Sequence, residues 1–170
     1  MRKVMLALTL LFLGTGLYAQ GGLKVGIQGG MPFDDFNDEV SLVVGLDLGY
    51  MWTLGEVIDL GVTTSFIHGF AETFHTDVVL TDLSDVQFGT AAAAVRIWTS
   101  NSFSIGVEAG QAFGINEGND GGLYLRPLVG YLMGPNTEVN FSYTSISLED
   151  KTWTTVNFGI LHTFQLKKRY

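Results

Sequence analysis

Few side chains in this sequence could do chemistry, and their spacing limits what they could do. There are three histidines, His68, His75 and His162, and no cysteine anywhere in the 170 residues. That excludes thiolate nucleophiles, zinc–thiolate sites, disulfides and a cysteine-acylated lipoprotein. A histidine-based hydrolase needs a hydroxyl and a carboxylate within reach of the ring. Ser65 precedes His68 by three residues, which in a strand sends the two side chains to opposite faces. The densest acidic group is Asp34-Asp35-Phe36-Asn37-Asp38-Glu39, and its oxygens suit calcium or magnesium. It lacks a spaced Asp-x-Asp-x-Asp-Gly framework, so a solvated acidic loop is the simpler reading. No glycine lies between a strand and a helix, so no phosphate-cradling loop is present. No catalytic residue, metal site or cofactor is expected. Four charges remain, Lys24, Asp47, Glu108 and Arg126, each isolated among small and apolar residues. Their meaning depends on the elements that hold them.

Those elements read as strands. From Leu23 onward the dominant signal is alternation with period 2. In the run Val40 to Tyr50 the even positions are Val, Leu, Val, Leu, Leu and Tyr, and the odd ones are Ser41, Val43, Gly45, Asp47 and Gly49. Phe103, Ile105, Val107, Ala109 and Phe113 likewise oppose Ser104, Gly106, Glu108, Gly110 and Ala112. The same test predicts eight strands at roughly 22–30, 39–50, 57–68, 85–98, 102–114, 122–133, 138–147 and 153–165. Turn chemistry separates them, including Met31-Pro32-Phe33-Asp34-Asp35 and Gly134-Pro135-Asn136-Thr137. In the fourth strand Arg96 shares the parity of Phe88 and Trp98. Either it snorkels near an interface or a bulge shifts the register there. Glu108 and Arg126 fall near each other on one hairpin's inward face, and Lys24 and Asp47 can pair likewise. Intramembrane charges that face an interior normally pair, so neutralising pairs are expected.

The first nineteen residues have a different character. Arg2 and Lys3 precede an apolar run, Val4 to Leu13, and Ala19 offers a small residue for cleavage before Gln20. This describes a secretory signal peptide over residues 1–19, with a mature barrel domain over 20–170. The apolar run is shorter than the ~20 residues that span a bilayer as a helix. Without the leader, 7 basic residues face 17 acidic ones, which argues against nucleic-acid binding. Yet 46% of the chain is hydrophobic, so charge and apolar surface must be segregated.

The faces show how. Soluble strands carry many surface charges, but here the polar face is mostly glycine, serine, threonine and alanine. Such a face suits the inside of a narrow wet barrel, with the apolar face turned to lipid. Aromatic girdles are read at Tyr50, Trp52, Trp98, Phe103, Tyr131 and Phe164, and at Phe66, Phe88, Phe113, Tyr143 and Trp153. Of the 17 acidic residues, 12 fall in alternate connections, from Asp34 to Glu39, Glu72 to Asp85, Glu117 to Asp120 and Glu149 to Asp150. The other connections hold only Glu56, Asp59 and Glu138. Long acidic links on one side and short turns on the other indicate exposed loops and periplasmic turns.

With eight alternating strands and the closing segment Thr155 to Phe164, the chain resembles the small outer-membrane barrels of the OmpX and OmpA-transmembrane-domain type. The resemblance implies an all-β, eight-stranded antiparallel up-and-down transmembrane barrel in the cell outer membrane. It implies that the barrel assembly machinery reads the last strand, for which Phe158, Ile160 and Phe164 fit, with Tyr170 as the other candidate terminal aromatic. It further implies contact with outer-membrane lipid and lipopolysaccharide, a monomeric state, and a structural or surface-interaction role with an extracellular partner at the acidic loops. The lumen of eight strands is too narrow for a large pore. One rival is a lipid A-modifying enzyme of the same architecture, although His162-Thr163-Phe164 lacks a His-x-Ser arrangement. The other is a soluble periplasmic lipocalin-like carrier. Mass spectrometry of the envelope-extracted protein is expected to place its N-terminus at Gln20; an intact Met1 would contradict the leader.

Overall fold

The computed structural model describes residues 21–71, 84–116 and 119–165, with 74–76 and 79–81 between them. The expected cleavage site at Ala19 and Gln20, and the tail aromatic Tyr170, lie outside the described residues. The elements are β1 (Gly21–Phe33), a 3₁₀ turn (Asp34–Phe36), β2 (Val40–Leu54), β3 (Ile58–Ala71), β4 (Phe74–Thr76), β5 (Val79–Thr81), β6 (Val86–Trp98), β7 (Phe103–Gly114), β8 (Gly122–Leu132), β9 (Thr137–Ser147) and β10 (Thr152–Gln165). Eight of the strands close into an antiparallel barrel in the order β1-β10-β9-β8-β7-β6-β3-β2. The short pair β4–β5 is separate and not expected from the sequence; it lies in the long link, where Phe74, Thr76, Val79 and Thr81 supply strand-favouring types. β1 also runs on through Pro32, beyond its last residue paired with β2, where a missing N–H is tolerated. Among the described residues no helix is long and apolar enough to cross a membrane, which leaves crossing to the strands.

The register fixes the barrel's dimensions. From Leu23, each successive partner is Tyr50, Val62, Ala93, Ala109, Leu125, Ser145 and Thr154, and the circuit returns to β1 at Phe33, ten residues along. With ~3.3 Å per residue and ~4.8 Å between strands, that stagger tilts the strands by ~40° and gives a backbone radius of ~8 Å. Little room remains beyond that needed by side chains.

The alternation read from the sequence now has a direction. Ile27, Leu46, Leu125, Phe141 and Phe158 point outward, with Leu46 60% exposed. Lys24, Asp47, Thr90, Glu108, Arg126, Asn140 and Asn157 are buried inside. An apolar wall around a polar filling is the reverse of a lipocalin-like carrier. Tyr50, Trp52, Phe103, Tyr131 and Phe164 do girdle the outer wall at the turn end, and Phe66, Phe113 and Tyr143 do so toward the loop end.

Three girdle assignments need correction. Phe88 and Trp153 are fully buried in the lumen, and Trp98 turns inward, donating from Nε1 to Asp59 Oδ2 at 2.8 Å. For Phe88 and Trp153 the reason is an apolar plug at the loop end, whereas Trp98, at the turn end, is drawn in by Asp59. The 3₁₀ turn folds Phe36 over the barrel mouth, its ring 5.0 Å from that of Trp153, which lies 5.3 Å from Phe88. Val40, Val43, Ile67, Ala92, Ala112, Tyr124 and Ile146 complete the cluster. Inward Phe88 also resolves Arg96. Its shared parity with Phe88 and Trp98 is the luminal parity, so Arg96 neither snorkels nor sits at a bulge. Trp153→Ala is expected to lower stability in detergent by ~3–5 kcal/mol, because the wall around the void cannot collapse. Ser147→Ala, at an exposed strand end, should stay within ~0.5 kcal/mol. Urea unfolding followed by tryptophan-independent circular dichroism checks both.

Candidate functional site

Below the plug the lumen is crossed by charge. Arg126, on β8, stands directly opposite Glu108 on β7 and also reaches β2. Its Nη1 lies 3.2 Å from both carboxylate oxygens of Asp47 and 3.7 Å from Glu108 Oε2, while Nε donates to Ser142 Oγ at 3.0 Å. The anions have further donors. Gln28 Nε2 and Ser65 Oγ donate to Asp47 Oδ1 at 3.0 and 2.7 Å, and Tyr124 donates to Glu108 Oε2 at 3.0 Å.

A second tier lies toward the turns. Glu138 on β9 accepts from Arg96 Nη1 on β6 and pairs with Lys24 Nζ at 3.4 Å. Lys24 also sits 5.8 Å from the ring centroid of Trp98, whose partner is Asp59. The expected Lys24–Asp47 pair therefore does not form. The stagger sets Lys24 opposite Gly49 and Asp47 opposite Gly26, so Lys24 lies nearer the turns and finds Glu138 instead. Glycines make the room. A Cβ at Gly45 would sit 2.8 Å from the Gln28 carboxamide, and one at Gly159 would sit 3.0 Å from Asn140. Between the tiers lies a cavity of about 20 Å³, bordered by Lys24, Asp47, Arg96 and Glu108, space for about one water molecule.

Several participants are not among the four charges singled out from the sequence: Gln28, Ser65, Arg96, Tyr124 and Ser142 join the network, as do Asp59 and Glu138, which read as turn residues. The signal was present in their parity. Asp59 shares a face with Thr63 and Ser65, and Glu138 shares one with Asn140, Ser142 and Thr144.

The histidines stand apart from this network. Ser65 points into the lumen, whereas His68 faces outward, 3.4 Å from Asp85 Oδ2 and beside the ring of Phe70. His162 is outward on β10, its Nδ1 3.0 Å from Thr137 Oγ1. Neither ring meets a serine together with a carboxylate among the described residues. The side chain of His75 lies outside them. A concavity of about 670 Å³ near His162 belongs to the lipid-facing wall, between residues such as Val25, Leu46, Phe66 and Ile160.

At the loop end a second cavity, of about 370 Å³, opens above the plug. Phe36, Val86 and Leu148 give it apolar surface, and Asp85, Asp120, Glu149 and Asp150 line it with carboxylates. Its walls are braced. Asp35 accepts from the Thr152 amide, Asp85 from the Ala71 amide and Asn116 from the Gln87 amide, at 2.9, 2.9 and 2.7 Å. Lys151, also at the cavity, pairs with Glu39 and lies 5.2 Å from the Phe36 ring centroid.

No family model matches the chain, and no curated protein matches it. Solved structures do. The crystal structure of Ail, the attachment invasion locus protein of Yersinia pestis, aligns at 18% identity over 87% of this chain and 100% of that one, with a TM-score of 0.57. The N-terminal β-barrel domain of Pseudomonas aeruginosa OprF aligns at 15% identity over 86% and 100%, with a TM-score of 0.56. The chain has the fold of the small transmembrane β-barrels. A structure of Ail with the heparin analogue sucrose octasulfate aligns at 19% identity over 87% and 100%, with a TM-score of 0.53.

In this transmembrane barrel, removing one member of the luminal network strands the others in a low dielectric. Arg126→Met is expected to destabilise by ~3–5 kcal/mol, since it leaves Asp47 and Glu108 without their cation. Adding Asp47→Asn and Glu108→Gln should recover most of the loss in urea unfolding. Unchanged instability in the triple variant would mean that Arg126 acts through packing rather than charge.

Proposed function

We propose that the chain is an exported outer-membrane protein whose barrel is a monomeric anchor and whose acidic loops contact a partner outside the cell. One observation carries this reading: the lumen is closed by two charge tiers and a dry plug, while the loop end keeps an open, carboxylate-lined cavity. An outer-membrane location is supported by the fold shared with Ail, named as an outer membrane protein of Yersinia pestis. It is also supported by the outward row Phe158, Ile160 and Phe164 on β10, which offers the barrel assembly machinery a closing strand. Lipid and lipopolysaccharide would cover the apolar belt. The loops of this chain favour a different kind of partner from the polyanion held by Ail, because acidic side chains repel sulfate groups.

Liposome swelling in a neutral sugar tests the closed anchor. Vesicles carrying the full chain are expected to swell no faster than empty ones, and rapid swelling would make the protein a pore.

A further inference from the structure

We infer that the loop cavity is a docking site for a cationic polypeptide segment, entered by a lysine or arginine side chain that lies over Leu148. This rests on the reading of the loops as the interacting part of the molecule. The described lysines and arginines are Lys24, Arg96, Arg126 and Lys151. Three are spent inside the lumen and the fourth pairs with Glu39. Asp120, Glu149 and Asp150 therefore have no basic partner among the described residues, and they face one cavity from two loops. The described residues leave that complement unfilled.

The apolar floor narrows its chemistry. A metal ion wants converging oxygens, and no such group occurs among the described residues. A long basic side chain instead offers a methylene stem to the partly buried Val86 and Leu148 and a charged head to the rim. Lys151 shows this chemistry at work in the same wall: its ammonium is held between the Glu39 carboxylate and the Phe36 ring. The carboxylates are spread around a mouth rather than gathered at a point, which suits successive basic residues of a chain more than one compact cation. The cavity's volume of about 370 Å³ admits a side chain with its flanking backbone.

The test uses the full chain in nanodiscs of zwitterionic phosphatidylcholine, with a fluorescein-labelled Arg-Gly-Arg-Gly-Arg peptide read by anisotropy. Asp120→Asn with Asp150→Asn is compared with Asp34→Asn with Asp38→Asn, which removes the same charge from the neighbouring loop. The cavity pair is expected to weaken binding by about fivefold or more and the control pair by under about twofold, with affinity falling as salt rises. Equal weakening by both pairs would overturn the site and leave a diffuse acidic surface, with the loop reading intact. Absence of binding by the unaltered chain would overturn the cationic partner, whereas rapid liposome swelling would defeat the anchor reading itself. Displacement of the peptide by calcium chloride, but not by sodium chloride of equal ionic strength, would reassign the cavity to a divalent cation.

Discussion

A stagger of ten residues around eight strands is the constraint on which the rest of this molecule depends. In hydrocarbon a backbone amide has no partner except a neighbouring strand, so the sheet must close on itself. Closure with this stagger sets the tilt, the tilt sets the radius, and the radius leaves a lumen that only side chains can fill. The outer wall must then be apolar, which explains how a strongly acidic chain is also rich in valine, leucine and phenylalanine. Surface that meets water is confined to the loops and turns, where most of the acidic residues lie.

A narrow lumen makes its charges interdependent. Arg126 ties β8 to β2 across the barrel and to β7 beside it, so one side chain braces strands far apart in sequence. Glu138 does the same for β6 and β1. Asp47, Glu108 and Glu138 each accept from, or pair with, more than one donor, which buried charge requires if it is not to destabilise the fold. The apolar plug above works by a different principle: Trp153, Phe88 and Phe36 fill the mouth by packing, and the open cavity begins where that packing ends.

The sequence made some of this legible. Alternation located all eight barrel strands, because period 2 survives wherever one face meets lipid and the other a lumen. The hairpin around β7 and β8 made Glu108 and Arg126 neighbours on local grounds alone. Contacts across the lumen depend on the stagger, which no single strand reveals, so the partners of Lys24 and Asp47 were hidden. Aromatic residues misled for a physical reason: a ring serves a lipid girdle and a dry plug equally well. Taking Phe88 and Trp98 as outward turned Arg96 into an anomaly, although Thr90, Ala92 and Ala94 on the same parity mark a luminal face. The loop cavity was invisible because several loops distant in the chain assemble it.

The closed lumen is tested most directly by a distance across it. Solid-state NMR of the full chain in lipid bilayers, with ¹⁵N-labelled arginine and ¹³C-labelled aspartate, reads the Arg126 guanidinium against the Asp47 carboxylate, assigned by its loss in Arg126→Lys. Strong dephasing is expected, consistent with the 3.2 Å contact between Nη1 and the carboxylate oxygens. A spectrum without that coupling would contradict the cross-lumen bridge and reopen the barrel as a water-filled path.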